Sequence, residues 1–193
     1  MKQIPLTKTK IHIDFTFFAV IAMFIVFDTT GFAIMSLFAC VIHEFGHLIV
    51  MALKGYKPTA IVLRGGGIKI GGCENSNSFA IIVAGSVANL IVFIVLYFMI
   101  SVPYTNLYPI MFAVINLSIG LFNLLPLGCL DGKRLLQLFL TVRAVKVIEI
   151  ITLIVVIVAI IFALKHGNVN FTLIATMFYV ITVDAFDRRR SIV

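Results

Sequence analysis

The chain has 193 residues, of which 62% are hydrophobic and only 12% are charged. A soluble globular domain carries roughly twice that share of charged residues, so the composition excludes an ordinary soluble protein and indicates an integral membrane protein. The formal net charge is +7, but the basic residues are spread over the connections between apolar segments. That distribution favours a membrane-topology signal over nucleic-acid binding.

Apolar segments recur along the chain, each near the length that crosses a hydrocarbon core of about 30 Å. They predict six membrane spans, at residues 11–27, 31–53, 79–100, 110–125, 145–164 and 169–186. Between the second and third spans, residues 59–72 hold two β-branched runs around three glycines, which predicts a β-hairpin. The predicted fold class is therefore an all-α polytopic membrane protein, a single domain over 1–193, with about six transmembrane helices and a small β-hairpin or sheet element between helices two and three.

The basic residues predict the orientation of these spans. All of the 15 except Lys165 lie before the first span, after the sixth, or in the segments that follow the second and fourth spans, with Lys146 at the very start of the fifth span counted with the last of these. These positions share one side of the membrane, so both termini are predicted to lie in the cytoplasm. Cys40, Cys73 and Cys129 then lie in a span or on the cytoplasmic side, where thiols stay reduced, and no disulfide is expected.

The second predicted span contains the sequence His43-Glu44-Phe45-Gly46-His47. Residues four apart share one face of a helix, so His43 and His47 can offer two imidazole nitrogens to one Zn²⁺ ion, with Glu44 beside a metal-bound water. In a soluble protein such a match often arises by chance. Inside a bilayer, ionisable groups are unfavourable unless they pair, bind an ion or line a wet cavity. The motif therefore predicts a zinc site with Glu44 as its catalytic base.

A catalytic zinc ion has three protein ligands, so one donor is needed beyond the two histidines. Asp131 is a candidate, because Pro126 breaks the fourth span shortly before it and unwound backbone is tolerated where it lines a cavity. The alternative, which spacing alone favours, is that Asp131 caps a helix over 132–141. Cys40 shares the helical face of the histidines, but three donors along one helix span about 10 Å, which favours a packed thiol. Cys129, close to Asp131, is a weaker candidate.

Asn89 in the third span and Asn123 at the end of the fourth are candidates for transition-state stabilisation, because an amide can donate to the oxyanion of a tetrahedral intermediate. The alternative is helix packing, since intramembrane amides hydrogen-bond across helices and small residues such as Gly85 allow close contact. The residues alone leave both open. Lys146 and Glu149, three apart at the start of the fifth span, predict an ion pair at the membrane interface.

The predicted hairpin offers a free strand edge, where Gly67, Ile68 and Ile70 are the candidate substrate-binding residues. A peptide bond inside a helix is protected by its own hydrogen bonds, so a protease acting on membrane helices must hold its substrate extended. A sheet edge can do so. The alternative is a cytoplasmic connector, because a lone hairpin is marginally stable in water.

Together these features resemble the site-2 protease family of intramembrane zinc metalloproteases, and within it the compact group that includes stage IV sporulation protein FB. The likeness covers about the first to the fourth span. It rests on four features in order: His43 to His47 in a span, the hairpin, Gly85 to Asn89 in the next span, and the pattern NxxPxxxLDG from Asn123 to Gly132. The resemblance implies that Asp131 is the third zinc ligand and that the site lies in a bacterial cell membrane, nearer the cytoplasm.

The residues and the resemblance predict an intramembrane zinc metalloprotease that cuts transmembrane or membrane-associated proteins near the cytoplasmic face. The expected partners are that substrate and either a regulatory membrane protein or a second copy of the chain, with no nucleic acid. The alternative is a metal transporter or a non-catalytic metal-dependent membrane binding protein, in which intramembrane His, Glu and Asp would also occur. Glu44 discriminates between them, because a transport site needs no general base.

Overall fold

The computed structural model describes residues 10–28, 30–56, 58, 60–64, 67–71, 78–100, 106–128 and 130–165. This part of the chain is mostly helical, with one small sheet. Its elements are strand β1 Lys10–Ile13, helices α1 Phe15–Phe27 and α2 Phe32–Leu53, strands β2 Ala60–Arg64 and β3 Gly67–Gly71, and helices α3 Phe79–Ile100, α4 Leu107–Asn123, α5 Asp131–Leu136 and α6 Val142–Lys165. Backbone contacts divide the chain into two compact units, Met1–Phe122 and Asn123–Val193, and each is described by itself.

Two helices of the first unit, α2 and α3, have 22 residues each and are long and apolar enough to cross a membrane. Helix α4 is apolar but shorter, with 17 residues. The predicted sixth span, 169–186, lies outside the described residues. The count of six spans and the single-domain organisation therefore stay predictions, whereas the mostly helical fold with a small sheet is confirmed.

The first helix begins later than the predicted span. Residues 11–13 belong to β1, which pairs in parallel with β2, so the apolar run from residue 11 starts as a strand. The backbone N–H of Asp14 continues the pairing by donating to the Leu63 carbonyl at 2.8 Å. The Asp14 carboxylate in turn accepts the N–H of Thr16 at 3.1 Å, as a residue preceding a helix commonly does. The chain thus changes from strand to helix at Asp14.

The sheet has the order β1-β2-β3, with β2 in the middle. Strands β2 and β3 are antiparallel, with Ile61 opposite Ile70 and Leu63 opposite Ile68, and they occupy the segment where the sequence predicts a hairpin. The sequence gives no hint of β1, because its four residues continue into an apolar run. Among the described strands, β1 and β3 each have a neighbour on one side only, so both are edge strands.

Helices α2 and α3 pack closely because small residues line their contact. A Cβ added at Gly46 would lie 2.6 Å from the Ala84 carbonyl oxygen and 2.8 Å from the Ala88 Cβ. On the other side of α3, a Cβ added at Gly120 of α4 would lie 3.2 Å from the Ser86 carbonyl oxygen. Small residues let helix backbones approach in this way where the surroundings are apolar. The tight α2 contact fixes the residues around Gly46 against α3.

In the second unit, helix α5 follows a tight turn after α4. The backbone turns through hydrogen bonds from Leu127 N–H to the Leu125 carbonyl at 2.8 Å and from Leu130 N–H to the Leu127 carbonyl at 2.9 Å. Gly128 takes a φ of 44°, in the region that favours glycine. The predicted helix 132–141 is shorter in the structure, where α5 ends at Leu136. This turn places Asp131 as the first residue of α5.

Candidate metal centre

His43 and His47 are brought together by one turn of α2. Both are buried, with exposed fractions of 4% and 7%. Their Nε2 atoms lie 3.2 Å apart, so two imidazole nitrogens converge on one point. This is the geometry that the helical spacing of the motif predicts.

The tautomer of His47 follows from its second nitrogen. Nδ1 of His47 lies 2.7 Å from the carbonyl oxygen of Ile81 on α3. A carbonyl oxygen only accepts, so Nδ1 carries the hydrogen and donates it. In the neutral ring, Nε2 then holds the lone pair and directs it toward His43. Histidines that bind metals are oriented by such a bond from the other ring nitrogen, so His47 fits the role of a metal ligand.

Gly85 of α3 keeps the space beside the two histidines clear. A Cβ built at this position would lie 2.6 Å from Nε2 of His43 and closer still to Nε2 of His47. Any side chain here would occupy the volume toward which both nitrogens point. The sequence singles out the element from Gly85 to Asn89, but it gives Gly85 only a packing role. The structure shows that this glycine faces the histidine nitrogens.

The other residues of the motif follow the helical period. Gly46 is buried against α3, Phe45 is 57% exposed, and Glu44 has intermediate exposure next to His43. Helical periodicity therefore separates the motif into a buried face with both imidazoles and an outer face with Phe45. Glu44 lies between these faces, and its role as base stays a prediction.

In the second unit, Asp131 is a buried carboxylate at the start of α5, with 7% of its surface exposed. The N-cap position is taken by Leu130, without a side-chain capping bond. Asp131 itself is the first residue of α5, one position after the N-cap. Its Oδ1 lies 3.7 Å from an Arg134 guanidinium nitrogen, one turn along the helix. Burying a carboxylate is unfavourable unless it is paired or bound to a cation, so this group is the kind of donor that a metal site requires.

The glycine after Asp131 has its own steric reason. A Cβ at Gly132 would lie 2.6 Å from the Leu125 carbonyl oxygen and nearer still to the Leu124 carbonyl. The start of α5 thus packs against the backbone of Leu124 and Leu125, in the turn that precedes it. Only glycine permits this contact, which explains why the residue after the carboxylate has no side chain.

Asn89 is fully buried, and its Nδ2 donates to the Ala39 carbonyl of α2 at 3.3 Å. Such a bond across helices is what the packing interpretation predicts. Its Oδ1 finds no hydrogen-bond partner among the described residues. Asn123 is half-buried at the last position of α4. A role of either amide at an oxyanion stays a prediction.

The remaining candidates fall in three places. Cys40 is exposed on α2, so the expectation of a packed thiol is wrong. Cys129 lies outside the described residues. Gly67, Ile68 and Ile70 all lie in β3, an edge strand of the sheet.

Comparisons with known proteins agree with this picture. Residues 104–165 match the model of peptidase family M50. Among solved structures, the site-2 protease from Methanocaldococcus jannaschii is similar over 93% of this chain and 91% of that chain, with a TM-score of 0.62 and 22% sequence identity. No curated protein sequence matches.

The fold is therefore similar to that of a site-2 protease, and the resemblance to that family is confirmed. The narrower resemblance to the compact group within the family stays a prediction. The segment that matches peptidase family M50 contains Asp131 and begins after the histidine motif. The two comparisons together support a membrane metalloprotease.

Proposed function

We propose that the protein is an intramembrane zinc metalloprotease in which His43, His47 and Asp131 hold the metal. The observation that carries this proposal is the histidine pair, whose Nε2 atoms lie 3.2 Å apart with His47 oriented by a backbone carbonyl. Two imidazoles and one carboxylate could hold a metal ion. Zinc accepts this donor set and keeps a further position open for water in catalytic sites.

Glu44 is the general base in this proposal. Bound zinc supplies Lewis acidity and brings the pKa of a water molecule to about 7, within reach of a carboxylate base. Glu44 would accept a proton from a water molecule as the water oxygen adds to the carbonyl carbon, and would donate that proton to the nitrogen of the leaving amine as the C–N bond breaks. Its position beside His43, neither on the buried nor on the outer face of α2, suits a group that must reach both water and substrate.

The site lies nearer the cytoplasmic side in this proposal. His47 precedes the end of α2 at Leu53 by six residues, which is about 9 Å along the helix axis. The segment after α2 belongs to the side that carries nearly all the basic residues, so both termini and this end of α2 lie in the cytoplasm. We assign the protein to a bacterial cell membrane, with a regulatory membrane protein or a second copy as a further partner.

The substrate is a transmembrane or membrane-associated protein, held extended along β3. Because β2 is paired on both sides, β1 and β3 are the two edges of the described sheet, and we choose β3 because the candidate binding residues lie there. Backbone groups alternate between the two edges of a strand, so Ile68 and Ile70 share one edge and Lys69 faces the other. Proline at Ile68 or Ile70 should therefore have a different effect from proline at Lys69. The substitutions on the free edge should slow cleavage, and those on the other edge should disturb the pairing of β3 with β2. If neither set slows cleavage, the segment is a connector.

The experiment that tests the function is co-expression with candidate single-span substrates. Wild type should release a cleavage product, and Glu44→Gln should release none while it keeps about one zinc ion per chain. The neighbouring exposed position supplies a control, since Phe45→Leu should cleave like wild type. Metal uptake into vesicles without any substrate cleavage, unchanged in Glu44→Gln, would establish the transporter alternative and contradict the proposal.

A further inference from the structure

Glu149 is a buried carboxylate on α6, with 5% of its surface exposed. The sequence predicts that it pairs with Lys146 at the membrane interface, and this prediction is wrong. The ion pair that the structure shows for Glu149 is with Lys133 of α5, at 2.8 Å. A carboxylate buried in an apolar helix needs such partners to remain charged.

The same carboxylate oxygen holds the chain on both sides of Asp131. Oε1 of Glu149 accepts the backbone N–H of Gly128 at 3.1 Å and the ammonium of Lys133 at 2.8 Å. Gly128 precedes Asp131 by three residues, and Lys133 follows it by two. One oxygen atom on α6 thus connects the turn before Asp131 with the helix after it.

The turn needs this outside support because its own hydrogen bonds are few. Among the described residues of this turn, 124–128 and 130, the backbone turn bonds are those donated by Leu127 and Leu130, and Gly128 has a positive φ. Glycine has wide conformational freedom, so this position does not hold the turn by itself. A charge-assisted bond from the Gly128 N–H to a carboxylate is stronger than a neutral one and restricts the turn at its most flexible residue.

We propose that Glu149 is a positioning residue of the metal centre, which fixes Asp131 by holding Gly128 and Lys133. This inference rests on the proposed role of Asp131 as a ligand. Residues that orient metal ligands typically contribute roughly 10- to 100-fold to metal affinity. Glu149 acts on the carboxylate ligand through the backbone of the turn, whereas the Ile81 carbonyl acts on His47 through a hydrogen bond.

The test measures zinc affinity of the full-length protein in detergent by competition with a chelator. Glu149→Ala should weaken zinc binding roughly 10-fold or more. Glu149→Gln should weaken it less, because the amide oxygen still accepts from Gly128 while the charge toward Lys133 is lost. Lys146→Ala, one turn away on α6 and exposed, is the control and should bind like wild type. Wild-type affinity in both Glu149 variants would overturn the inference.

A double-mutant cycle separates positioning from a merely structural role. If Glu149 acts through Asp131, then Glu149→Ala should cause no further loss of zinc affinity once Asp131→Asn is present. Additive losses would show that Glu149 acts elsewhere and would overturn the inference. The conservative variant Glu149→Asp should recover part of the affinity.

Hydrogen exchange of the zinc-free protein separates failure of this inference from failure of the proposed function. Glu149→Ala and Glu149→Gln should both speed exchange in the segment around Gly128, with no change around His43. If wild type binds no zinc, the proposed function fails while the exchange rates still decide whether Glu149 holds the turn. If wild type binds zinc and exchange around Gly128 is unchanged in both variants, the inference alone fails.

Discussion

The histidine pair and the Asp131 turn are held in place by different means. On α2, helical spacing fixes His43 and His47 relative to each other, and glycines bring α3 against them. Asp131 starts a helix of only six residues after an irregular turn, and its neighbours are held by a carboxylate on another helix. Ligands on one long helix are positioned by local geometry, whereas a ligand after a turn depends on a contact that is distant in sequence.

The largest effect is expected for Asp131, the proposed metal ligand that follows the turn. Asp131→Asn should weaken zinc binding by more than about 100-fold, because it removes a ligand instead of a residue that supports one. Cys40→Ala should bind zinc like wild type, since the thiol is exposed on α2. Metal analysis of the purified variants measures both. Loss of zinc in Cys40→Ala with retention in Asp131→Asn would reverse the ligand assignment.

The next prediction concerns the space in front of the histidines. Gly85→Ala should lower zinc affinity roughly 10- to 100-fold, because the new Cβ enters the volume next to both Nε2 atoms. The atoms it meets are the ends of side chains that can rotate, so the melting temperature should change little. Val87→Ala, at an exposed position of the same helix, is the matched control. A zinc affinity equal to wild type in Gly85→Ala would show that this volume is not part of the site.

Gly132→Ala should lower stability more than zinc affinity, the reverse of what Gly85→Ala should do. Its Cβ would meet the backbone carbonyls of Leu124 and Leu125, which cannot rotate away, so the free energy of unfolding should fall by about 1–3 kcal/mol. Zinc affinity should fall only as far as the turn shifts. Chemical unfolding with and without zinc separates the two effects. A variant as stable as wild type would mean that the start of α5 is not packed against these carbonyls.

The smallest effect concerns a second aspartate near a helix start. Asp28 accepts hydrogen bonds from the Thr30 hydroxyl at 2.7 Å and from the Ala33 N–H at 2.6 Å, at the beginning of α2. The Thr30 side chain is the main cause that lowers the pKa of Asp28. A lowered pKa stabilises the folded state above the unfolded pKa of about 3.9, and the stabilisation is lost as pH falls through the folded value.

Asp28→Asn should therefore leave zinc binding unchanged and reduce the acid sensitivity of unfolding below about pH 4. Melting temperatures across that range measure the effect. If Asp28→Asn lowers zinc affinity, then the start of α2 influences the metal centre. Asp28 and Asp131 would then not have separate roles.

The sequence predicts the parts of the molecule that depend on local spacing. The period of an α-helix places both histidines on one buried face, and the glycine run between β-branched segments marks β2 and β3. The sequence does not predict β1. Its residues begin an apolar run that suggests a span, whereas in the structure they pair with β2. For Glu149, local spacing suggests Lys146, whereas folding selects Lys133, 16 residues away. The role of Gly85 was hidden because a residue without a side chain leaves no chemical signal.

The parallel pairing of β1 with β2 also sets an order of assembly. Lys10 lies opposite Ala60, so β1 has no partner until the chain has been made 50 residues further. At about 5–20 residues per second, the growing chain waits several seconds, during which all of α2 with its two histidines is synthesised. The sheet can therefore form only after the histidine motif has left the ribosome, and the edge that we propose binds substrate appears later than the helix that carries the two histidines.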